Sequence, residues 1–413
     1  MEQKGKLFYG WWIVLASFFL MFAGIGILVN CTGVFFSAVI QDLGFSRAGF
    51  GLYFTIAMLG AMAGSPILGK LIVKYNSQLI ISICLIVAGL SFAAYSLCTQ
   101  LWHFYIVAVL AGVFGAGTST LPASILLTNW FVDKRGTAMG IAFTGSGIGG
   151  MVMNPLAQWI ITNYSWQTAY VTLGVIFLVV TLPFALFVIK LHPGLMGMKP
   201  LGDTGDAVQG QPLFGLTLVE GMKSAVFWVL GISFFMITLI QVGLQNNIPI
   251  FLQDLGHTAT FAATVMAIYM GLLVLGKMLL GSILDKFGPR IGITFCVLLF
   301  IVACFAFAGA KPLIIVAIFA VAFGLAAPIA TVMPSYMIGH MFGNLDYGTI
   351  YGIMNIFITL GMAAAMPIAG VVFDKTGSMV PTWYIFMGIA VLILLAFYYL
   401  LARQPKFKEL WHS

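Results

Sequence analysis

The stretch Gly276–Arg290 reads GKMLLGSILDKFGPR and closes an apolar segment that begins near Phe261. Lys277 is the one charged residue inside that segment, because the next charge, Asp285, belongs to the turn that follows. A lone ionisable group inside a membrane span costs at least about 2.5–3.5 kcal/mol, so such a residue marks a functional site by default. The stretch therefore predicts a membrane span with a functional lysine in it.

The composition of the whole chain also indicates a membrane protein. Of its 413 residues, 62% are hydrophobic and 7% are charged, whereas a soluble chain carries about a quarter charged residues. The formal charge of +7 is expected from basic residues in cytoplasmic loops. A nucleic-acid partner is not predicted, because the sequence has no basic patch on a soluble face. The five cysteines are scattered without CxxC spacing, which favours a packing role.

A membrane span needs about 20 apolar residues. On that rule the sequence predicts twelve helices, near residues 9–38, 48–73, 78–98, 103–128, 137–161, 167–190, 224–252, 260–283, 290–310, 312–337, 349–373 and 382–402. The first apolar run is too long for a signal-peptide core, so we expect it to be retained.

The basic residues predict the orientation of these helices. If the N-terminus, the loops after even-numbered helices and the C-terminus share one side, that side holds fourteen Lys and Arg residues and the other side three, with Lys277 completing the 18. The positive-inside rule then places both termini in the cytoplasm. We expect a multi-pass protein of the plasma (inner) membrane, in contact with lipid and sufficient as a monomer.

The two halves of the chain repeat each other with an offset of 212 residues. The tetrad QDLG at Gln41–Gly44 recurs at Gln253–Gly256, and further matching pairs are Gly64 with Gly276, Gly69 with Gly281, Gly112 with Gly324, Pro122 with Pro334 and Pro155 with Pro367. Transporters built from two such halves carry the substrate site near the midplane between them. We predict an N-terminal half over 1–190, a flexible linker over 191–222 and a C-terminal half over 223–413.

The pattern G-x-x-x-D-K-x-G-P-R, carried by Gly281, Asp285, Lys286, Gly288 and Arg290, resembles the cytoplasmic signature loop of the major facilitator superfamily. Its first-half counterpart has Val73 where the aspartate would be. The resemblance implies an all-α membrane protein with twelve transmembrane helices in two pseudo-symmetric six-helix halves. It also implies a structural or gating role for the five loop residues.

A narrower resemblance is to the monocarboxylate transporters and oxalate–formate exchangers. It is carried by YGWW at Tyr9–Trp12, by Trp130-Phe131 with KRGTAMG at Lys134–Gly140, by QDLG at Gln253–Gly256 and by Gly276-Lys277. In that branch a cation in the eighth helix, usually arginine, engages the substrate carboxylate, and this chain has Lys277 there.

The chain departs from that branch at three positions. Leu273 stands where animal monocarboxylate transporters carry an aspartate, Asn30 where they carry a lysine, and Met354 where the oxalate exchanger has a second cation. We therefore expect Lys277 itself to carry a coupled proton, with Asp254 as the alternative. The recurrence of Asp254 as Asp42 in the repeat argues instead that both aspartates help to start the helix that follows them.

Polar residues in the predicted spans are candidates to complete a substrate site around Lys277. They are Asn30, Thr118, Ser119, Gln241, Gln245, Asn246, Asn247, Tyr336 and Asn355. Each could instead make an interhelical hydrogen bond, and Lys277 could instead snorkel to the interface. Lys277 lies eight residues before Asp285, about 12 Å into the bilayer, and helical side chains lean away from that nearer surface, which favours the substrate site.

These features predict a secondary active transporter of small monocarboxylates such as lactate or pyruvate, working by alternating access with proton symport. The predicted spans hold no Asp or Glu, so one bound carboxylate would balance one cation. The alternatives are a carboxylate exchanger of the oxalate–formate type and an exporter of amphipathic compounds. An intramembrane enzyme would need a catalytic constellation at depth, which the spans lack, and without a Walker motif no nucleotide cofactor is expected.

Overall fold

The computed structural model of the chain describes residues 8–45, 47–202 and 215–409, and these residues are nearly all helical. The prediction of an all-α protein is confirmed. The α-helices of the described residues are α1 (Gly10–Gly24), α2 (Thr32–Leu43), α3 (Arg47–Lys74), α4 (Ser77–Ala94), α5 (Leu101–Gly115), α6 (Thr120–Trp130), α7 (Arg135–Asn163), α8 (Trp166–Pro183), α9 (Leu218–Lys223), α10 (Ala225–Asp254), α11 (Ala259–Ala308), α12 (Leu313–Ala326), α13 (Ile329–Phe342), α14 (Tyr347–Thr376) and α15 (Val380–Glu409).

Nine helical stretches among the described residues are long and apolar enough to cross a membrane. One of them, Thr264–Ala308, has 45 residues; at 1.5 Å per residue it is about 68 Å long, twice the ~30 Å of a hydrocarbon core. It contains most of the predicted spans 260–283 and 290–310, which are separated at Gly288. The two predicted spans outside these nine stretches are the first, which is divided into α1 and α2, and the fifth, which is α7.

The prediction of one continuous first helix over 9–38 is wrong, because turns over residues 25–31 separate α1 from α2. The backbone widens there: the amide of Gly26 donates to the carbonyl of Met21 at 3.3 Å, and the amide of Asn30 donates to that of Ile25 at 2.9 Å. Bonds to the residue five positions back are the mark of a π-type bulge.

Two further predicted spans, 103–128 and 312–337, are also interrupted. The fourth is broken over residues 116–119 and the tenth over residues 327–328, positions that the 212-residue offset brings into register. In the tenth, Pro328 has no backbone N–H to continue the helical hydrogen bonds. The repeat seen in the sequence therefore extends to this pair of breaks, whereas the break over residues 25–31 has no counterpart, because residues 237–243 lie within the continuous helix α10.

The QDLG tetrads end helices, so the prediction that their aspartates start the following helices is wrong. Asp42 lies within α2, and Gly44 closes that helix with a left-handed φ of 67°. Gly256 follows α10 with φ 92°. Glycine adopts a positive φ without the steric cost that a Cβ brings. The N-cap of α11 is Thr258, whose hydroxyl accepts from the amide of Phe261 at 3.2 Å.

The chain divides into two compact units. The first contains the described residues up to 202 together with Tyr347–Ile353. In it, α7 is less apolar than the other spans because protein covers it: Gly149 lies so close to α1 that a Cβ atom would stand 2.9 Å from the carbonyl carbon of Phe22. Small residues allow such close approach of helix backbones.

The second unit contains the described residues from 215 to Asp346 and from Met354 onward. Its core is built from stacked aromatic rings of α11, α12 and α15. Phe307 stacks on Phe319 at 4.1 Å and contacts Trp383 at 4.8 Å, and Tyr269 stacks on Phe323 at 4.5 Å. All five side chains are buried.

The predicted flexible linker is ordered at both of its ends. On the first side, the amide of Leu201 donates to the carbonyl of Trp130 at 3.0 Å. On the second side, Thr217 and Glu220 form a capping box on α9, and the hydrogen bonds from Thr217 hold the pKa of the Glu220 carboxyl below its usual value. The centre of the predicted tether, residues 203–212, lies outside the described residues.

Candidate functional site

Lys277 lies on α11, which belongs to the second unit. Its side chain is only 2% exposed. The preceding residue, Gly276, packs on the end of α12: a Cβ atom there would stand 2.8 Å from Cγ of Pro328 and 2.9 Å from the carbonyl oxygen of Gly324. The break in the tenth span and the close packing of α11 on α12 therefore meet one residue from the lysine.

A hydrogen-bonded triangle joins α10 to α11 in the same unit. Gln241 Nε2 donates to Gln245 Oε1 at 2.6 Å and to the Tyr269 hydroxyl at 3.4 Å, and that hydroxyl donates to Gln245 Oε1 at 3.1 Å. Both glutamines were candidates from sequence, and Tyr269 was missed. The available signal was a tyrosine in an apolar span eight residues before the lone lysine.

The two asparagines that follow on α10 have different environments. Asn247 is fully buried, and its Nδ2 donates to the carbonyl of Gly243 one turn earlier at 2.7 Å. Asn246 is exposed. Because adjacent helical residues point about 100° apart, only one of the two can face any given partner.

Two predicted site residues of the first unit lie in helix breaks. Asn30 is in the break of the first span, where its Nδ2 donates to the carbonyl of Ser146 on α7 at 3.1 Å. Ser119 is in the break of the fourth span and is 7% exposed. Gly24, the last residue of α1, packs against Ser119, since a Cβ atom there would stand 2.7 Å from the serine Cβ. The two breaks of this unit are therefore neighbours.

Tyr336 and Asn355 lie on other helices of the second unit. The Tyr336 hydroxyl donates to the carbonyl of Leu284 at 3.4 Å. Leu284 is seven residues after Lys277, about 10 Å along the helix, so this bond ties Tyr336 to the signature loop. Asn355 is half-buried on α14, and its backbone carbonyl accepts from the Thr359 hydroxyl at 2.8 Å.

The signature loop is a sharp break between two helical segments. Gly288 has φ 77° and ψ 175°, a conformation that glycine adopts readily because it has no Cβ. Pro289 is the first residue of the next helical segment, a position where proline is favoured. Gly281 is buried and Asp285 is half-buried, whereas Lys286 and Arg290 are exposed. The two exposed cations thus stand at the end of the span.

The repeated aspartates differ in their partners. Asp42 Oδ2 accepts a hydrogen bond from Trp166 Nε1 at 2.8 Å, which fastens the end of α2 to α8. Asp254 is the last residue of α10, and both aspartates are exposed, so the bond from Trp166 is what distinguishes Asp42. Among the residues that the structure describes, no group of three His, Cys, Asp or Glu side chains could hold a metal ion.

A family model described as the Major Facilitator Superfamily matches this chain over residues 14–308 and 230–411. The chain belongs to the Major Facilitator Superfamily. The membership confirms the prediction from the signature loop, and it makes the protein a multi-pass membrane transporter and not an enzyme.

Relatives of known name support the narrower resemblance. Monocarboxylate transporter 13 of Rattus norvegicus is 27% identical over 409 residues, covering 95% of this chain and 90% of that protein. MFS transporter asaE of Aspergillus flavus is 24% identical over 395 residues, covering 92% of this chain and 84% of that protein. The resemblance to the monocarboxylate transporters is therefore confirmed.

A solved structure of the superfamily has the same fold. The crystal structure of the transporter FucP in an outward conformation matches with a TM-score of 0.71 and 16% identity, covering 94% of this chain and 98% of that chain. The predicted fold class is thereby confirmed as the major facilitator fold of twelve transmembrane helices in two six-helix halves.

Proposed function

We propose that this transporter carries small monocarboxylates such as lactate and pyruvate by alternating access, and that a proton travels with each substrate. The observation that carries the proposal is the burial of Lys277, a cation with 2% exposure inside a membrane span. Relatives named monocarboxylate transporters over almost the whole chain support the choice of substrate class.

The burial of Lys277 favours a ligand role over snorkelling. A snorkelling lysine keeps its ammonium group in water while its carbon stem covers apolar surface, and an exposure of 2% leaves little of the side chain for water. Removing an ammonium group from water is expensive unless opposite charge and hydrogen bonds stabilise it. A substrate carboxylate beside Lys277 supplies the opposite charge, which no Asp or Glu of the predicted spans provides.

The same residue explains how a proton could be coupled to the substrate. Desolvation favours the neutral amine, whereas a carboxylate bound beside it favours the ammonium form. Substrate and proton then bind together, and linkage requires that each raises the affinity for the other by the same factor. Leu273 stands where animal monocarboxylate transporters carry an aspartate, so this position offers no carboxylate for a separate proton relay.

The remaining assignments stay predictions. Further polar contacts to the substrate are assigned to Asn30, Ser119, Asn246, Asn247, Tyr336 and Asn355. The signature-loop residues are assigned a gating role. Both termini are predicted to lie on the cytoplasmic side of the plasma (inner) membrane. Residues 1–190 are assigned to the N-terminal half, residues 191–222 to the linker and residues 223–413 to the C-terminal half.

Transport assays with purified protein test the function directly. Uptake of labelled lactate, pyruvate, formate and oxalate into proteoliposomes is measured with and without an inward proton gradient. We expect a gradient to drive accumulation of lactate or pyruvate, and a proton ionophore to abolish it. Uptake that does not depend on the proton gradient but requires a carboxylate inside the vesicles would instead identify an exchanger. If none of the four labelled acids is taken up, the proposal is contradicted.

A further inference from the structure

The triangle of Gln241, Gln245 and Tyr269 holds hydrogen-bonding capacity that it does not use internally. Its three bonds, at 2.6, 3.1 and 3.4 Å, use one amide nitrogen, one amide oxygen and the phenol. Gln241 Oε1 and Gln245 Nε2 bond to none of the described residues. If both amides were turned over, one oxygen and one nitrogen would still remain. The triangle can therefore both donate to and accept from a further polar group.

The surroundings of the triangle place that capacity away from lipid. Tyr269 is fully buried and stacked on Phe323 at 4.5 Å, so its hydroxyl is held in position. The two glutamines are half-buried within the span Ala225–Ile248. Polar side chains in spans face the protein interior or a water-filled cavity, because hydrocarbon cannot satisfy their hydrogen bonds. The exposed parts of these amides are thus accessible from water.

The triangle is too far from Lys277 to act on the same end of a small substrate. Tyr269 and Lys277 are eight residues apart on α11, about 12 Å along the helix axis. Both side chains lean toward the helix N-terminus, so their polar ends keep a similar axial separation. The carboxylate and hydroxyl of lactate are on adjacent carbons, and one lactate molecule cannot contact both places.

We propose that the triangle binds an uncharged hydroxyl, carbonyl or amide group at the distal end of a longer monocarboxylate whose carboxylate lies at Lys277. This inference rests on the proposed function and extends its substrate class. The preferred substrate is then a medium-chain monocarboxylate with a terminal neutral polar group. Lactate and pyruvate occupy only the carboxylate end, with water at the triangle.

Competition assays with matched acids test the inference. Inhibition of labelled lactate uptake is measured in proteoliposomes with 8-hydroxyoctanoate and octanoate, which differ by one terminal hydroxyl, and uptake of labelled 8-hydroxyoctanoate is measured directly. In the wild-type protein we expect 8-hydroxyoctanoate to inhibit at lower concentration than octanoate. In Gln245→Met and Gln241→Met, which keep side-chain volume, this preference falls roughly threefold to tenfold, as expected for one lost hydrogen bond.

A control variant and a second readout separate the possible failures. Tyr398→Phe also removes a hydroxyl from the second unit, one bonded to Thr294 at 3.0 Å, and it should leave the preference unchanged. The inference is overturned if the wild-type protein does not prefer 8-hydroxyoctanoate to octanoate. It is also overturned if the glutamine variants, eluting as single species in size-exclusion chromatography, keep the wild-type preference. Neither result affects the proposal of lactate transport. Uptake of 8-hydroxyoctanoate without lactate uptake overturns the small-substrate proposal alone, and uptake of neither acid overturns both.

Discussion

Gly276 of α11 lies so close to Gly324 of α12 that a Cβ atom on Gly276 would stand 2.9 Å from the Gly324 carbonyl oxygen. The same Cβ would stand 2.8 Å from Cγ of Pro328, at the break of the tenth span. Lys277 is the next residue on α11. The position of the buried cation is therefore set by a backbone-to-backbone contact that only a residue without a side chain permits.

This contact predicts a stability effect at Gly276. We expect Gly276→Val to lower the stability of the purified protein by about 1–3 kcal/mol, because the added methyl groups must displace backbone. The measurement is the thermal unfolding midpoint in detergent. Gly271→Val is the matched control on the same helix, since a Cβ at Gly271 has no atom within 4 Å. Equal midpoints for the two variants would contradict the close contact.

Substitutions of Lys277 separate substrate binding from proton coupling. We expect Lys277→Gln to abolish both net uptake and exchange, because the amide carries no charge for the carboxylate. Lys277→Arg should retain exchange and lose proton-driven accumulation, since a guanidinium group does not deprotonate in proteins. Both activities are measured in proteoliposomes with and without a pH gradient. Full proton-driven accumulation by the arginine variant would show that Lys277 does not carry the proton and would favour Asp254 as the carrier. Normal transport by the glutamine variant would show that Lys277 does not bind the substrate.

The substrate is predicted to carry one carboxylate, because Lys277 is one cation in a span whose sequence has no second charge. A competition series of mono- and dicarboxylates of similar size tests this prediction. Lactate and formate should compete better than oxalate and succinate. Dicarboxylates that compete tenfold better than lactate and formate, a difference of about 1.4 kcal/mol in binding free energy, would contradict the prediction.

The orientation in the membrane follows from the distribution of fourteen basic residues against three. Reporter fusions after Ser413 and within residues 191–222 should both report a cytoplasmic location, as the positive-inside rule requires. Paired reporters active on opposite sides of the membrane provide the check. An external location at either site is incompatible with twelve spans in this orientation.

The repeated aspartates should differ in their effect on stability. Asp42→Ala removes the acceptor of the 2.8 Å bond from Trp166 Nε1, so we expect a loss of about 1 kcal/mol. Asp254→Ala, at the repeat position, removes no such bond to a described residue and should change the unfolding midpoint less. Trp166→Phe should reproduce the loss and add nothing to Asp42→Ala, and additive losses would show that the bond does not account for the effect.

The sequence by itself determined the class of protein, the number of spans and most of their limits. The fifth span was predicted over 137–161 and is α7, Arg135–Asn163, and the eleventh was predicted over 349–373 and is α14, Tyr347–Thr376. The physical reason is local: lipid offers no hydrogen bonds, so an apolar run of sufficient length must satisfy its backbone as a helix. The single cation at Lys277 is equally visible in the sequence.

The tertiary structure alone decided where helices break and which polar groups meet. The turns over residues 25–31, in which Asn30 is the one polar side chain, interrupt a mostly apolar run, beside a contact in which a Cβ on Gly26 would stand 2.7 Å from Cα of Gly149. Tyr269 meets Gln245 across 24 residues of chain. Both features depend on how one helix is rotated and positioned against another, and hydropathy along a chain carries no information about that packing.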